Sequence, residues 1–135
     1  MSTVLVDSNV LLDILIPDPK WEDWSANALA QIADSSLLAV NPVIYAEVSI
    51  GFDRIEDLEA ALPQALKREP LPWEAAFLAG KVFLTYKQRS GAKNSPLPDF
   101  FIGAHAAVRD YTLLTRDPRR YRSYFPGLTL ISPGR

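Results

Sequence analysis

The sequence predicts a three-layer α/β domain built on a mainly parallel sheet, and three observations lead there. Short apolar runs of strand character alternate with stretches of helical periodicity along the 135 residues. Cap-and-proline pairs at Asp18-Pro19, Asn41-Pro42 and Asp117-Pro118 mark helix starts. Four carboxylates, Asp7, Glu47, Asp99 and Asp117, sit where strand-like runs give way to helices, or just inside those helices. A chain of this length is expected to form one domain, residues 1–135, with a core that needs no covalent staple.

Thr3-Val4-Leu5-Val6 reads as a short buried strand, followed by Asp7-Ser8-Asn9 and a helical turn from Val10 to Leu15 that Pro17 stops. Asp18-Pro19 predicts a second helix burying Trp21, Trp24, Ala28 and Ile32, with Leu29 at its margin. Ser35-Ser36 turns the chain into a strand from Leu37 to Val40, and Asn41-Pro42 opens a helix carrying Ile44, Glu47, Val48 and Ile50. Asp53 and Glu56 have capping-box spacing for a further helix bearing Ile55, Leu58 and Leu62. Pro63, Pro70 and Pro72 bound a stretch with no assigned element.

Trp73 to Lys87 reads as an amphipathic helix with Ala76, Phe77, Gly80, Leu84 and Lys87 on one face. A polar connector spans residues 90–96. Pro98-Asp99 then starts an apolar helix from Phe100 to Val108, whose Gly103, Ala104, Ala106 and Ala107 allow close packing. Thr112 to Thr115 is the next strand, Asp117-Pro118 caps a short helix through Tyr121 and Tyr124, and Leu128 to Ile131 forms the last strand.

Composition excludes several chemistries. Cysteine is absent, which removes disulfides, thiolate zinc sites and a cysteine nucleophile. The single histidine, His105, makes a Ser-His-Asp triad hard to build and lies about 240° around its helix from Asp99, so it reads as a packed or surface residue. Trp21, Trp24 and Trp73 read as core or interface anchors. The first apolar run ends at Asp7, far short of a membrane span or a secretory leader, so no membrane partner and a cytoplasmic location are expected. Net charge is −2, but it is unevenly spread: residues 1–80 carry four basic residues against thirteen acids, and residues 81–135 ten against three. That asymmetry suggests a polyanion-binding face on the C-terminal half, although helices differing in surface charge would also produce it.

In a parallel α/β sheet the carboxyl ends of the strands share one edge, and ligands bind there. Four acids gathered on that edge repel one another unless a divalent cation holds them together. Asp7, Asp99 and Asp117 can also be read as helix N-caps. Glu47 cannot, since it lies inside an apolar helix where a buried unpaired carboxylate would be expensive. Magnesium suits such carboxylates and promotes phosphate chemistry.

Four blocks carry a family resemblance. They are Val4 to Leu12 with Asp7-Ser8-Asn9, then Asn41-Pro42-Val43-Ile44-Tyr45-Ala46-Glu47-Val48, then Leu97-Pro98-Asp99 through Ala106, and last Leu113-Leu114-Thr115-Arg116-Asp117-Pro118 with the tail Tyr124 to Leu128. In order and over nearly the whole chain, they resemble PIN-domain ribonucleases, nearest the VapC-type toxins of toxin–antitoxin pairs. The resemblance implies a PIN fold of four to five parallel strands and a magnesium- or manganese-dependent endoribonuclease acting on RNA. It implies Asp7 and Asp99 as principal metal ligands, Glu47 and Asp117 completing the acidic cluster, and Ser8, Asn9 and Thr115 in support. It also implies a cognate antitoxin and a homodimer. Lys87, Arg89, Lys93, Arg116, Arg119 and Arg120, from the basic half, are the candidates to hold the RNA backbone. The competing class is a catalytically silent PIN-like module for binding or assembly, which would neither bind the ion at the quartet nor cut RNA. A haloacid dehalogenase-type phosphatase needs a second aspartate where Asn9 stands, and a receiver domain needs an order of acids and lysine that this chain lacks.

Overall fold

The computed structural model describes residues 2–90 and 97–134. The connector through residues 91–96, with Lys93, lies outside them. Strand β1 (Ser2–Val6) is central, flanked by β2 (Ser36–Val40) and β4 (Thr112–Leu114), with β3 (Leu66–Arg68) and β5 (Leu130–Ile131) outside. The order is β3-β2-β1-β4-β5 and every pairing is parallel, as expected of a three-layer α/β/α domain. Val4 and Leu5 pair with β2 on one side and β4 on the other, Val6 pairs with β4, and all three are buried, which is why they form an unbroken apolar run.

The chain runs outward from β1 through β2 to β3 and then returns to the other side of β1 as β4. Right-handed crossovers place the helices between β1 and β3 on one face and those between β3 and β5 on the other. The reversal leaves a crevice beyond the carboxyl ends of β1 and β4, the place where open α/β sheets bind ligands.

Helix α1 (Ser8–Leu15) starts at once after β1, with Asp7 as N-cap accepting the Ser8 N–H. Helix α2 (Glu22–Ala33) begins later than Pro19, because the Asp18 carboxylate accepts the N–H groups of Lys20 and Trp21 and closes a turn instead. Its buried line is Ser25 and Leu29, so Leu29 lies at the centre of the packed face and the tryptophans at its flanks. Helix α3 (Pro42–Ser49) follows β2 as expected, its first turn capped by the Asn41 side chain accepting the Ile44 N–H at 2.9 Å. The Asp53–Glu56 capping box does not form: α4 (Ile55–Ala61) has Arg54 at its N-cap with no side-chain bond.

The proline-bounded stretch contains β3, an edge strand of three residues with only Leu66 buried. Helix α5 (Trp73–Ser90) reverses the expected face. Ala75, Ala79 and Tyr86 are buried, whereas Trp73 is 88% and Phe77 69% exposed and Leu84 also faces outward. Small residues decided the contact, since Ala75 and Ala79 let α5 approach α6 (Leu97–Arg109) closely. Helix α6 packs as its composition predicts; a Cβ on Gly103 would stand 2.5 Å from the Phe125 ring. Helix α7 (Arg119–Tyr124) follows β4, and no helix among the described residues is long and apolar enough to cross a membrane.

Candidate active site

Asp7 directly follows β1 and lies at the crevice, 4% exposed. Its Oδ1 accepts the Ser8 N–H at 2.8 Å, and its Oδ2 accepts the Thr115 hydroxyl at 2.8 Å and the Tyr121 hydroxyl at 3.0 Å. Every one of these donors is neutral. Burial pushes the Asp7 carboxyl up to about 6; the charge of Asp99 adds to the rise, while the bonds from Thr115, Tyr121 and Ser8 oppose it.

The other three acids converge on the same place by different routes. Glu47, half-buried on α3, accepts the Ser8 hydroxyl at 2.7 Å, so one serine links the first two carboxylates. Burial raises the Glu47 pKa, and the nearby Asp99 charge contributes to that rise. Asp99, in the first turn of α6, is raised chiefly by burial, with Arg120 opposing and Asp117 adding repulsion. Arg120 forms an ion pair with Asp99. Asp117 stands exposed after β4, its N–H donating to the Thr115 hydroxyl at 3.1 Å rather than its carboxylate capping α7, whose N-cap is Pro118. Proline at 118 thus starts the helix one residue later than expected.

Ser8, Asn9 and Thr115 are hydrogen-bonded to one another's neighbours across the crevice. Asn9 donates to the Thr115 hydroxyl at 3.4 Å and accepts the Arg116 N–H at 3.2 Å, tying α1 to the loop after β4. Tyr121 is the residue that sequence reasoning missed. It is buried, donates to Asp7, and burial together with the charges of Asp7, Asp99 and Glu47 raises its own pKa well above the ordinary value. A lone apolar-compatible ring in the run Arg119-Arg120-Tyr121-Arg122 was its signal, since that face of α7 needs something to bury.

The basic candidates divide. The Arg116 guanidinium forks onto Asp13 at 2.9 and 3.0 Å and lies over Trp21, a strut between the loop after β4 and helices α1 and α2. Its sequence position next to Asp117 did not reveal this, because Asp13 lies 103 residues away. Arg120 is engaged with Asp99, whereas Arg119, Lys87 and Arg89 are exposed.

His105 is a packed residue, fully buried, as expected. Asn41 spends its Oδ1 on the Ile44 N–H, so its amide donates to His105 Nδ1 at 2.8 Å and leaves the proton on Nε2. That nitrogen faces Glu69 at 3.6 Å, and burial lowers the histidine pKa.

Among the described residues, no three histidine, aspartate or glutamate side chains already stand close enough to grip an ion. The donor set nevertheless suits a hard divalent cation, which takes oxygen ligands and in the case of magnesium needs only one or two carboxylates beside water. Asp7 is buried beside the charge of Asp99 and has no cationic partner among the described residues, the situation a cation relieves. Asp99, whose charge adds to the rise in the Asp7 pKa, is paired with Arg120.

The sequence profile of the PIN domain matches residues 4–125. The chain belongs to the PIN domain family. As a PIN domain it is similar to solved structures of toxin–antitoxin systems. VapBC2 from Rickettsia felis, bound to a promoter DNA fragment, matches with a TM-score of 0.73 and 20% identity over 96% of this chain and 98% of that one. FitAcB from Neisseria gonorrhoeae matches with a TM-score of 0.70 and 19% identity, covering 95% and 96% of the two chains. VapC20 of Mycobacterium tuberculosis, a toxin that cleaves the sarcin–ricin loop, gives 0.67 at 11% identity over 96% and 99%. At these identities the likeness is one of fold. No curated protein matches the chain in sequence.

Proposed function

We propose that this PIN domain is a magnesium- or manganese-dependent endoribonuclease, the toxin of a toxin–antitoxin pair. The observation that carries the reading is Asp7, a buried carboxylate at the topological switch point whose hydrogen-bond partners are all neutral donors, with the charge of Asp99 acting on it, Glu47 joined to it through Ser8, and Asp117 acting on Asp99 in turn. Asp7 and Asp99 would hold the ion, with Glu47 and Asp117 completing the shell directly or through water. A divalent cation held there lowers the pKa of an attacking water and offsets charge developing on the scissile phosphate. Ser8 keeps Glu47 turned toward Asp7, and Thr115 and Tyr121 fix the Asp7 carboxylate so that it need not reorganise during the reaction. Exposed Lys87, Arg89 and Arg119 offset the repulsion that an RNA backbone meets at the acids.

The toxin assignment draws on the VapBC and FitAB likenesses and brings a cognate antitoxin and a second copy of this chain as partners. Trp73 and Phe77 on α5 and Ile50 at the end of α3 are the exposed apolar side chains on which such contacts would form; Trp21, Trp24 and Phe52 are half-buried.

The test is cleavage of a mixed RNA pool by antitoxin-free protein, with and without magnesium, beside Asp99→Asn. Magnesium-dependent cutting that falls about a hundredfold or more in the variant is expected, the loss of several kcal/mol of charge stabilisation. Folded protein that neither cuts nor binds magnesium would instead identify the silent module.

A further inference from the structure

About 9 Å along α6 from Asp99, the buried imidazole of His105 meets three other parts of the chain. Asn41, itself buried, reaches it from the turn between β2 and α3. Glu69 approaches from the end of β3, and Tyr111 from just before β4, its ring centroid 5.8 Å from that of the imidazole. Tyr111 donates its hydroxyl to both Glu69 oxygens, at 2.9 and 3.0 Å, and Lys67 stands 3.7 Å from the same carboxylate. Arg109, one turn further along α6, is the remaining charge felt by the ring. His105 Nε2 is the one buried side-chain polar atom without a hydrogen-bond partner among the described residues. It stops 3.6 Å from Glu69, too far for a bond.

Asn41 has a single planar amide and uses both ends of it. Its Oδ1 accepts the Ile44 N–H at 2.9 Å, capping α3, and its NH2 group donates to His105 Nδ1 at 2.8 Å. The two bonds coexist only while Nδ1 carries no proton. We infer that Asn41 and His105 form a proton-sensitive clamp on α3, the helix that carries Glu47: a neutral ring holds the cap closed and a charged ring opens it. With Nδ1 protonated, two donors face each other. The amide then turns over, because a bond from a charged donor is about twice as strong as a neutral one and the ring therefore wins the shared oxygen from the Ile44 N–H. Glu69, poised within a short shift of Nε2, supplies the counter-charge that lets a fully buried imidazole take up its proton. Burial lowers the His105 pKa and Arg109 adds to the fall, while Glu69 opposes it, so the clamp opens on the acid side of the ordinary value of 6.5. None of this depends on what the acids at the crevice do.

His105 is the only histidine, so its ring nitrogens can be titrated by 15N NMR on the whole chain in chelator, beside the Ile44 amide. At neutral pH the proton is expected on Nε2. On acidification Nδ1 gains one below 6.5, and the Ile44 amide shifts with the same midpoint. His105→Asn keeps an acceptor toward Asn41 and cannot charge, so an Ile44 shift that persists in it belongs to Glu47 one turn on. Compared with that variant at one acid pH, Ile44 hydrogen exchange in the wild type is expected to be about fivefold faster, the effect of losing a cap. Asn41→Asp is the sharper variant, since a carboxylate caps α3 equally well and accepts from a protonated Nδ1. The His105 midpoint is expected to rise by about one pH unit, tenfold in proton affinity, with Ile44 protected through the transition. A neutral ring protonated on Nδ1, an Ile44 amide indifferent to the His105 transition, or a ring that stays neutral until the chain unfolds would each overturn the clamp.

Discussion

Asp7 and Asp13 are neighbours in sequence, both at or on α1, 4% and 2% exposed. Asp13 takes two bonds from the Arg116 guanidinium, at 2.9 and 3.0 Å, and one from the Ser25 hydroxyl at 2.7 Å. Asp7 receives a backbone N–H and three hydroxyls, those of Thr115, Tyr121 and, at 3.5 Å, Ser8, and faces the charge of Asp99. The chain therefore builds a complete ion pair at one buried carboxylate and leaves the other short of positive charge. A satisfied buried pair anchors structure, while an unneutralised buried carboxylate is a candidate site for a cation.

The largest effect that separates the two concerns folding. Asp13→Ala leaves the Arg116 guanidinium facing a half-buried gap and strips Ser25 of its acceptor. Breaking one side of a buried pair costs on the order of 3–5 kcal/mol, and the partial exposure of Arg116 places this case near the lower figure. Urea unfolding should show that loss. Retention of wild-type stability would mean that the strut is dispensable.

An effect of comparable size and opposite sign belongs to Asp7. In metal-free protein the folded state holds the Asp7 proton more tightly than the unfolded chain, whose carboxyl titrates at 3.8, since the folded value is about 6. Protonation thus favours folding: the contribution is present below the unfolded pKa and is lost as pH rises through about 6. The loss is about 3 kcal/mol. The raised values of Glu47 and Asp99 act in the same direction. Denaturation followed from pH 4 to 7 in chelator should show stability falling, and Asp7→Asn should flatten the curve. An unchanged slope in the variant would place the titration elsewhere.

Much of the fold was legible because it follows local rules. The apolar runs of β1, β2 and β4 are buried on both sides, and Asn41-Pro42 caps α3 as that pair should. The four acids were legible for the same reason, since each stands at or just past a strand end or in a helix that follows one. What escaped depends on distant partners. β3 is a three-residue edge strand with a single buried residue, too short to show a period. The buried face of α5 was chosen by Ala75 and Ala79 against α6, leaving the larger Trp73 and Phe77 outside. Arg116 and Arg120 read as residues of a basic run, and Tyr121 as a residue of the short helix beside them. Only the fold shows that the first braces Asp13, the second pairs with Asp99 and the third reaches Asp7.

Calorimetric titration of magnesium or manganese into wild type, Asp7→Asn and Asp13→Asn tests the division between the two aspartates most directly. Binding by wild type and Asp13→Asn, and its loss in Asp7→Asn, is the predicted result. Equal binding by Asp7→Asn and wild type would contradict the assignment of Asp7 as the carboxylate that awaits a cation.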